Sequence, residues 1–222
     1  MAGRRTPSRR DRAELAERLL DRYGETYAHE AGFTVKDTPS PLYRLLCLAT
    51  LLAARIRAGA AVSAARALAD AGWTTVDKMR ASTWEERVHV LNRSGYARYD
   101  ESTARVLGDA ADTVHERWGG DLRRLRDEAG RQPDAERRLL QEVKGIGEVG
   151  ADIFCREVQG TWDELAPFVD DRAAASASRL GLPTAPDELA ALAPDGPDGM
   201  PRLVAALVRV DLDDGYDAVI AG

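Results

Sequence analysis

The residues best suited to chemistry lie in two short segments of the second half of the chain. One is a glycine-rich stretch, Val143 to Asp152, between two helical patterns, and the other runs from Phe168 to Arg172. Glycines at 145 and 147 permit a tight turn and the close approach of a partner. The helix that follows begins with free N–H groups that suit a phosphate. A fixed carboxylate such as Asp170 can stabilise a developing positive charge and orient or deprotonate a water.

Each segment also has an ordinary structural interpretation. A lone Gly-x-Gly is more often a plain turn between helices, and an aspartate ahead of a helix is very often its N-cap. The residue types alone do not separate Asp170 from Asp171 as that cap. Ile146, between the two glycines, is expected to point inward and fix the turn, whereas Lys144 lies where it can reach a phosphate. The context of the two segments therefore has to decide between the interpretations.

The elements around these segments read as helices. Apolar residues recur at helical spacing along the chain and no segment alternates with period two, so we predict an all-α fold. The most apolar stretch, Pro41 to Ile56, is expected to form a buried central helix. We expect residues 37–165 to form a helical domain that carries the glycine hairpin. Residues 11–36 and 166–222 would form a second helical lobe, with a cleft between the lobes and a basic, disordered tail at residues 1–10.

Composition limits the class of protein. Charges interrupt every apolar run, so no membrane helix is expected, and the basic start leads into no apolar signal segment. We therefore expect a soluble, cytoplasmic protein. Cys47 and Cys155 lie within apolar helical patterns and the three histidines are scattered, which argues against a disulfide or a metal site. The net charge of −6 argues against nucleic acid, although the first twelve residues have five arginines against Asp11.

The order of motifs is more specific than the hairpin alone. Two stretches carry most of it: Leu139-Leu140-x-x-Val143-x-Gly145-Ile146-Gly147-x-x-Gly150-Ala151, and Phe168-Val169-Asp170 followed by Ser178-Arg179-Leu180-Gly181. They resemble the hairpin and the catalytic segment of the helix-hairpin-helix DNA glycosylases of the endonuclease III superfamily. Leu51 to Arg55 and Ser94 to Tyr96 resemble the segments with which that family fills the space of a flipped nucleotide. The resemblance extends from Pro41 to Leu182 in the family's order.

The resemblance implies a role for each matching residue. Asp170 would be the catalytic carboxylate, near the mouth of a pocket between the lobes. Arg55 and Tyr96 would enter the duplex where a nucleotide has swung out. The hairpin would grip a DNA phosphate near the lesion, and its carbonyls are a candidate site for a monovalent cation. The hairpin residues implied are Lys144, Gly145, Ile146, Gly147, Val149 and Gly150.

The chain also departs from that family. Bifunctional members have a lysine at the position of Val149, so lyase activity is not expected here. No cysteine follows Cys155, so we expect no iron-sulfur cluster and no other cofactor. The structural role of the cluster would pass to Pro201 to Leu212, packed against the N-terminal helix. A second carboxylate, Asp171, follows Asp170 and could raise a pKa or pair with Arg172.

The sequence therefore predicts a monomeric, monofunctional DNA glycosylase of base-excision repair. It would act on double-stranded DNA with a damaged base, be associated with the nucleoid, and cleave the N-glycosidic bond of a flipped base with a water assisted by Asp170. The alternative is a catalytically inactive helix-hairpin-helix protein that binds damaged or abasic duplex. A third interpretation is a helical interaction module whose glycine turn is purely structural.

Overall fold

A computed structural model describes residues 8–221. Within these residues all regular secondary structure is helical, as predicted. Residues 1–7, which include most of the expected tail, lie outside the described residues. The helices are α1 (Arg9–Tyr23), α2 (Tyr27–Glu30), α3 (Pro39–Leu52), α4 (Ala58–Asp70), α5 (Val76–Ala81), α6 (Trp84–Arg93), α7 (Asp100–Trp118), α8 (Leu122–Glu128), α9 (Pro133–Gln141), α10 (Glu148–Val158), α11 (Asp171–Leu180), α12 (Pro186–Ala190), α13 (Gly199–Leu212) and α14 (Tyr216–Ile220). A 3-10 turn, Asp163–Leu165, follows α10.

The chain divides into two compact units, one of residues 27–165 and one formed by both chain ends. The boundary lies after Thr26, ten residues before the predicted position at 36/37. The physical reason is a buried carboxylate: Glu157 in α10 accepts the N–H groups of Tyr27 and Ala28 at 3.1 and 3.0 Å. This long-range cap ties α2 to the hairpin unit. Arg9 and Arg10, which were predicted to belong to the tail, lie in α1, because Ser8 forms a capping box with Asp11 and starts the helix at Arg9.

In the unit of residues 27–165, α3 is the central helix, as the sequence predicted. Most of its side chains are buried, and it packs against α4 and α10. Nearly all its faces are apolar, so it can only be stable when other helices cover it on several sides. Further helices pack around this centre. Helix α10 also packs on α9, and α7 packs on α5 and α6. The hairpin between α9 and α10 is thereby held on the core.

In the unit formed by the chain ends, α13 packs against both α1 and α11. This confirms the predicted contact of Pro201 to Leu212 with the N-terminal helix. A polar network fastens α14 to the same core. The hydroxyl of Tyr216 donates to Asp211 at 2.9 Å and lies 3.3 Å from the Ser176 hydroxyl, and the Arg179 guanidinium lies over its ring at 3.8 Å. Ring packing and hydrogen bonds thus hold the C-terminal end of this unit.

The two cysteines are both buried, as expected. Burial raises the pKa of the Cys47 thiol to about 12 and raises that of Cys155 as well, so both stay protonated and unreactive. Two thiols cannot supply the four ligands of a cysteine-bound iron-sulfur cluster. Among residues 8–221 no three His, Cys, Asp or Glu side chains are grouped as a metal site requires. Within the same residues, each helix is too short or too polar to cross a bilayer.

Candidate nucleic-acid interface and active site

The hairpin between α9 and α10 depends on Gly145. A turn is closed by the N–H of Ile146, which donates to the Val143 carbonyl at 3.0 Å. Gly145 has a φ of +84°, which L side chains rarely adopt, and a Cβ there would lie 2.1 Å from Cγ1 of Val106 in α7. Both the backbone angle and the neighbour therefore require glycine. The hairpin rests directly on α7.

Two hairpin residues point into the protein. Ile146 is buried, as the sequence predicted. Gly150 is also buried, and a Cβ at that position would lie 3.4 Å from Ile146 and 3.8 Å from the Cβ of Ala53. The implied contact of Gly150 with DNA is therefore not supported by its position. Gly150 instead packs α10 against the turn and the end of α3, at distances that would be ordinary van der Waals contacts for a Cβ.

The start of α10 faces open space. Gly147 is its N-cap and has no side chain to cap the helix, and a Cβ added there would meet no atom of residues 8–221 within 4 Å. Lys144 and Val149 are exposed, Val149 by 60%. Glu148 adds a negative charge here, but Arg137 lies 3.1 Å from its carboxylate. The first-turn N–H groups of α10 are thus available to an anion from the solvent side.

Tyr96 does not have the position that its predicted role requires. Its side chain has 0% exposure, and its hydroxyl donates to the Leu51 carbonyl at 3.2 Å. The prediction that Tyr96 enters a duplex is wrong for this structure, because the ring fills the core and the hydroxyl satisfies a carbonyl near the end of α3. Its function is to tie the turn between α6 and α7 to α3. Arg55, in contrast, is exposed just beyond α3.

Three segments meet in this region. The end of α3 contacts the α6–α7 turn through Leu51 and Tyr96, and α10 through Ala53 and Gly150. The hairpin contacts α7 at Val106. Exposed cations lie on all three segments, and none has a carboxylate within ion-pair distance among residues 8–221. We call these six residues the cationic face: Arg55, Arg57, Arg93, Arg98, Arg105 and Lys144.

The charge of these segments differs in sign from that of the whole protein. Residues 51–57, 93–106 and 144–150 contain six cations against Asp100, Glu101 and Glu148, which gives +3. The remainder of the chain then carries −6 − 3 = −9. Arg57, Arg93, Arg98 and Arg105 were not predicted from the sequence, because they are dispersed along the chain and form no run of basic residues. Two of them could have been identified from the sequence, because Arg93 and Arg98 flank the Ser94-to-Tyr96 segment.

Asp170 is the N-cap of α11. Its Oδ1 accepts the N–H of Ala173 at 2.9 Å, and the residue is 8% exposed. Asp171 is the first residue of α11 and is exposed, so the structure separates the two aspartates that the sequence left equivalent. Arg172 pairs with Asp211 at 2.9 Å, which gives it a partner other than Asp171. The capping bond fixes the Asp170 carboxylate and uses one of its several acceptor positions.

Comparisons with known proteins support the fold. No protein-family model matches the chain, and no curated protein sequence matches it. A non-covalent endonuclease III–DNA complex is similar over 92% of this chain and 86% of that chain, with 14% identity and a TM-score of 0.55. A trapped endonuclease III–DNA covalent intermediate, in an estranged-adenine complex, is similar over 89% and 85%, with 16% identity and a TM-score of 0.48. The first of these two similarities shows that the chain has the all-helical fold of endonuclease III.

Proposed function

We propose that the protein binds duplex DNA through the cationic face and the start of α10. The observation that carries this proposal is the convergence of three separate segments with six exposed cations, which lack a carboxylate partner among the described residues. The rest of the chain has a net negative charge. Phosphates are bound by arginines, lysines and backbone N–H groups without any reading of sequence. The net charge of −6 is then no objection, because the charge is unevenly distributed.

Within this interface we assign Lys144, Gly147 and the N–H groups at the start of α10 to one phosphate. Of the two residues predicted to enter the duplex, Arg55 is exposed and Tyr96 is buried. Arg55 is therefore assigned to the space left by a flipped nucleotide. An arginine can stack on bases and donate several hydrogen bonds from a planar group, which suits such a position. Val149 offers an apolar surface beside the phosphate site and has no amine.

We further propose that the reaction is hydrolysis of an N-glycosidic bond, with Asp170 as the catalytic carboxylate. Breaking this bond develops positive charge on the sugar, and a fixed carboxylate stabilises that charge and accepts a proton from the attacking water. The cap from Ala173 holds Asp170 in one orientation. With valine at position 149, no side-chain amine is available there for a Schiff base, so the proposal is a monofunctional glycosylase.

The test is a panel of duplexes with alkylated, oxidised, deaminated and abasic sites, assayed with and without alkali. We expect release of a base from at least one duplex, with strand cleavage only after alkali. Asp170→Asn should lower release by about 100-fold or more, because asparagine keeps the cap but lacks the charge. Asp171→Asn is the matched control and should keep full activity. Equal activity of Asp170→Asn and the wild type would overturn the assignment.

A second candidate function is a DNA-binding protein without catalysis. It is favoured by the low exposure of Asp170 and by the capping bond that occupies one of its oxygens. It predicts salt-sensitive binding to duplex or abasic DNA with no base release from any member of the panel. The same panel therefore distinguishes the two candidates, and absence of DNA binding at low salt would refute both.

A further inference from the structure

A buried cluster of charged groups lies at the end of the hairpin unit, outside the cationic face. Arg126 in α8 is 5% exposed, and its guanidinium binds the Glu164 carboxylate through two bonds of 2.5 Å each. Its third nitrogen binds Asp37 at 3.0 Å. Asp37 also accepts the indole N–H of Trp162 at 3.0 Å. The segment of residues 161–165 is thus fastened to α8 and to the residues that precede α3.

Glu136 makes this cluster unusual. It lies in α9, is 0% exposed, and among residues 8–221 no donor reaches either of its carboxylate oxygens. The side chain within hydrogen-bonding reach is the carboxylate of Glu164. Two carboxylates in such contact repel each other unless one of them holds a proton. A protonated Glu136 would instead donate a hydrogen bond to Glu164. The two buried carboxylates are therefore expected to share one proton.

The electrostatic surroundings agree with this arrangement. Burial, and then the hydrogen bond and charge of Glu164, raise the pKa of Glu136 to about 8. Burial alone would raise the pKa of Glu164, but hydrogen bonds from Arg126 and Glu136 outweigh it and lower that pKa to about 2. Arg126 and Arg131 favour the charged form of Glu136 and partly oppose this rise in its pKa, and the charge of Glu136 in turn raises the pKa of the Cys155 thiol.

We propose that Arg126, Glu136 and Glu164 form a proton-dependent clamp that holds residues 161–165 against α8 and α9. Arg126 and Glu136 act through Glu164 and not on a substrate. The clamp does not rest on the proposed function.

The pH dependence has a defined sign. In the closed clamp the pKa of Glu136 is raised, whereas in an open clamp it returns toward its ordinary value near 4.5. The closed form therefore holds one more proton between about pH 4.5 and 8, and closure weakens about tenfold per pH unit across that range. Above about pH 8 both forms are ionised and no further change is expected from Glu136. Because the pKa of Glu164 is lowered, Glu164 affects closure only at a pH below its ordinary pKa.

Hydrogen exchange of the full chain, read by mass spectrometry and corrected for the intrinsic rate, tests the clamp without DNA. For the wild type we expect protection of residues 159–168 to fall by about 50-fold from pH 6 to pH 8 and then level off. Glu136→Gln keeps the shape and a donor for Glu164 but cannot ionise, so its protection should not change with pH. Asp134→Asn, an exposed change in the same helix, should behave as the wild type.

Two results would overturn the proposal. One is protection of residues 159–168 in the wild type that does not change between pH 6 and pH 8. The other is an equal pH dependence in Glu136→Gln and in the wild type. Since the exchange experiment needs no substrate, failure of the clamp and failure of the proposed function give separate results.

Discussion

Substitution of Gly145 by alanine should destabilise the protein because two separate costs coincide there. The φ of +84° would place an L residue in the left-handed region, which costs about 1–2 kcal/mol. The new Cβ would also lie 2.1 Å from Cγ1 of Val106, and such overpacking costs about 1–3 kcal/mol. We therefore expect Gly145→Ala to lower the free energy of unfolding by roughly 2–5 kcal/mol.

Urea unfolding followed by circular dichroism measures this loss, and two variants separate its parts. Gly147→Ala is the matched control, because φ there is −89° and no atom of the described residues lies within 4 Å of the added Cβ. It should cost no more than about 1 kcal/mol, the difference between glycine and alanine at an N-cap. In Gly145→Ala/Val106→Ala the clash is gone and only the backbone strain remains. The pair should therefore show a favourable coupling energy of about 1–3 kcal/mol.

Equal losses of the free energy of unfolding in Gly145→Ala and Gly147→Ala would contradict the contact between the hairpin and α7. So would a Val106→Ala background in which none of the lost free energy of unfolding is recovered, because the loss would then not come from contact with α7. In both cases the hairpin would not rest on α7 as described. The proposed interface would then lack the fixed relation between the hairpin and α7 on which it depends.

Three further predictions concern the interface. Arg98→Gln should weaken DNA binding and reduce the slope of log affinity against log salt by about one, whereas Arg123→Gln, already paired with Asp121, should do neither. Val149→Lys places an amine on an exposed site at the position where the resemblance puts a lysine, so borohydride should trap it on abasic DNA; no trapping would contradict that alignment. Tyr96→Phe should cost about 1 kcal/mol of stability by removing the donor to Leu51, and Tyr99→Phe, in the same turn, should cost little; a reversed order would contradict the burial of Tyr96.

The fold and the hairpin were accessible from sequence because their determinants are local. Helical spacing of apolar residues predicted the helices, and glycines on either side of Ile146 predicted a turn with an inward apolar residue. The errors at Tyr96 and Gly150 have a common cause. Their burial depends on Leu51 and Ala53, which are distant in the chain, and a spacing pattern does not report such neighbours. The domain boundary shifted for the same reason, since Glu157 caps a helix 130 residues earlier.

The uneven charge has a physical consequence for how DNA would be held. Charges more than about 8 Å apart are largely screened at physiological ionic strength, so most of the −9 outside the interface segments acts weakly on a bound duplex. Contacts of the cationic face act at hydrogen-bond distance and are not screened in that way. Lower salt strengthens the attraction between the cationic face and the phosphates. It also strengthens the repulsion between the phosphates and the acidic rest of the chain. Because Arg55 is assigned to the base stack, the salt dependence of binding should be shallower than five phosphate contacts alone would give, which is a slope of about −4.5 for B-DNA.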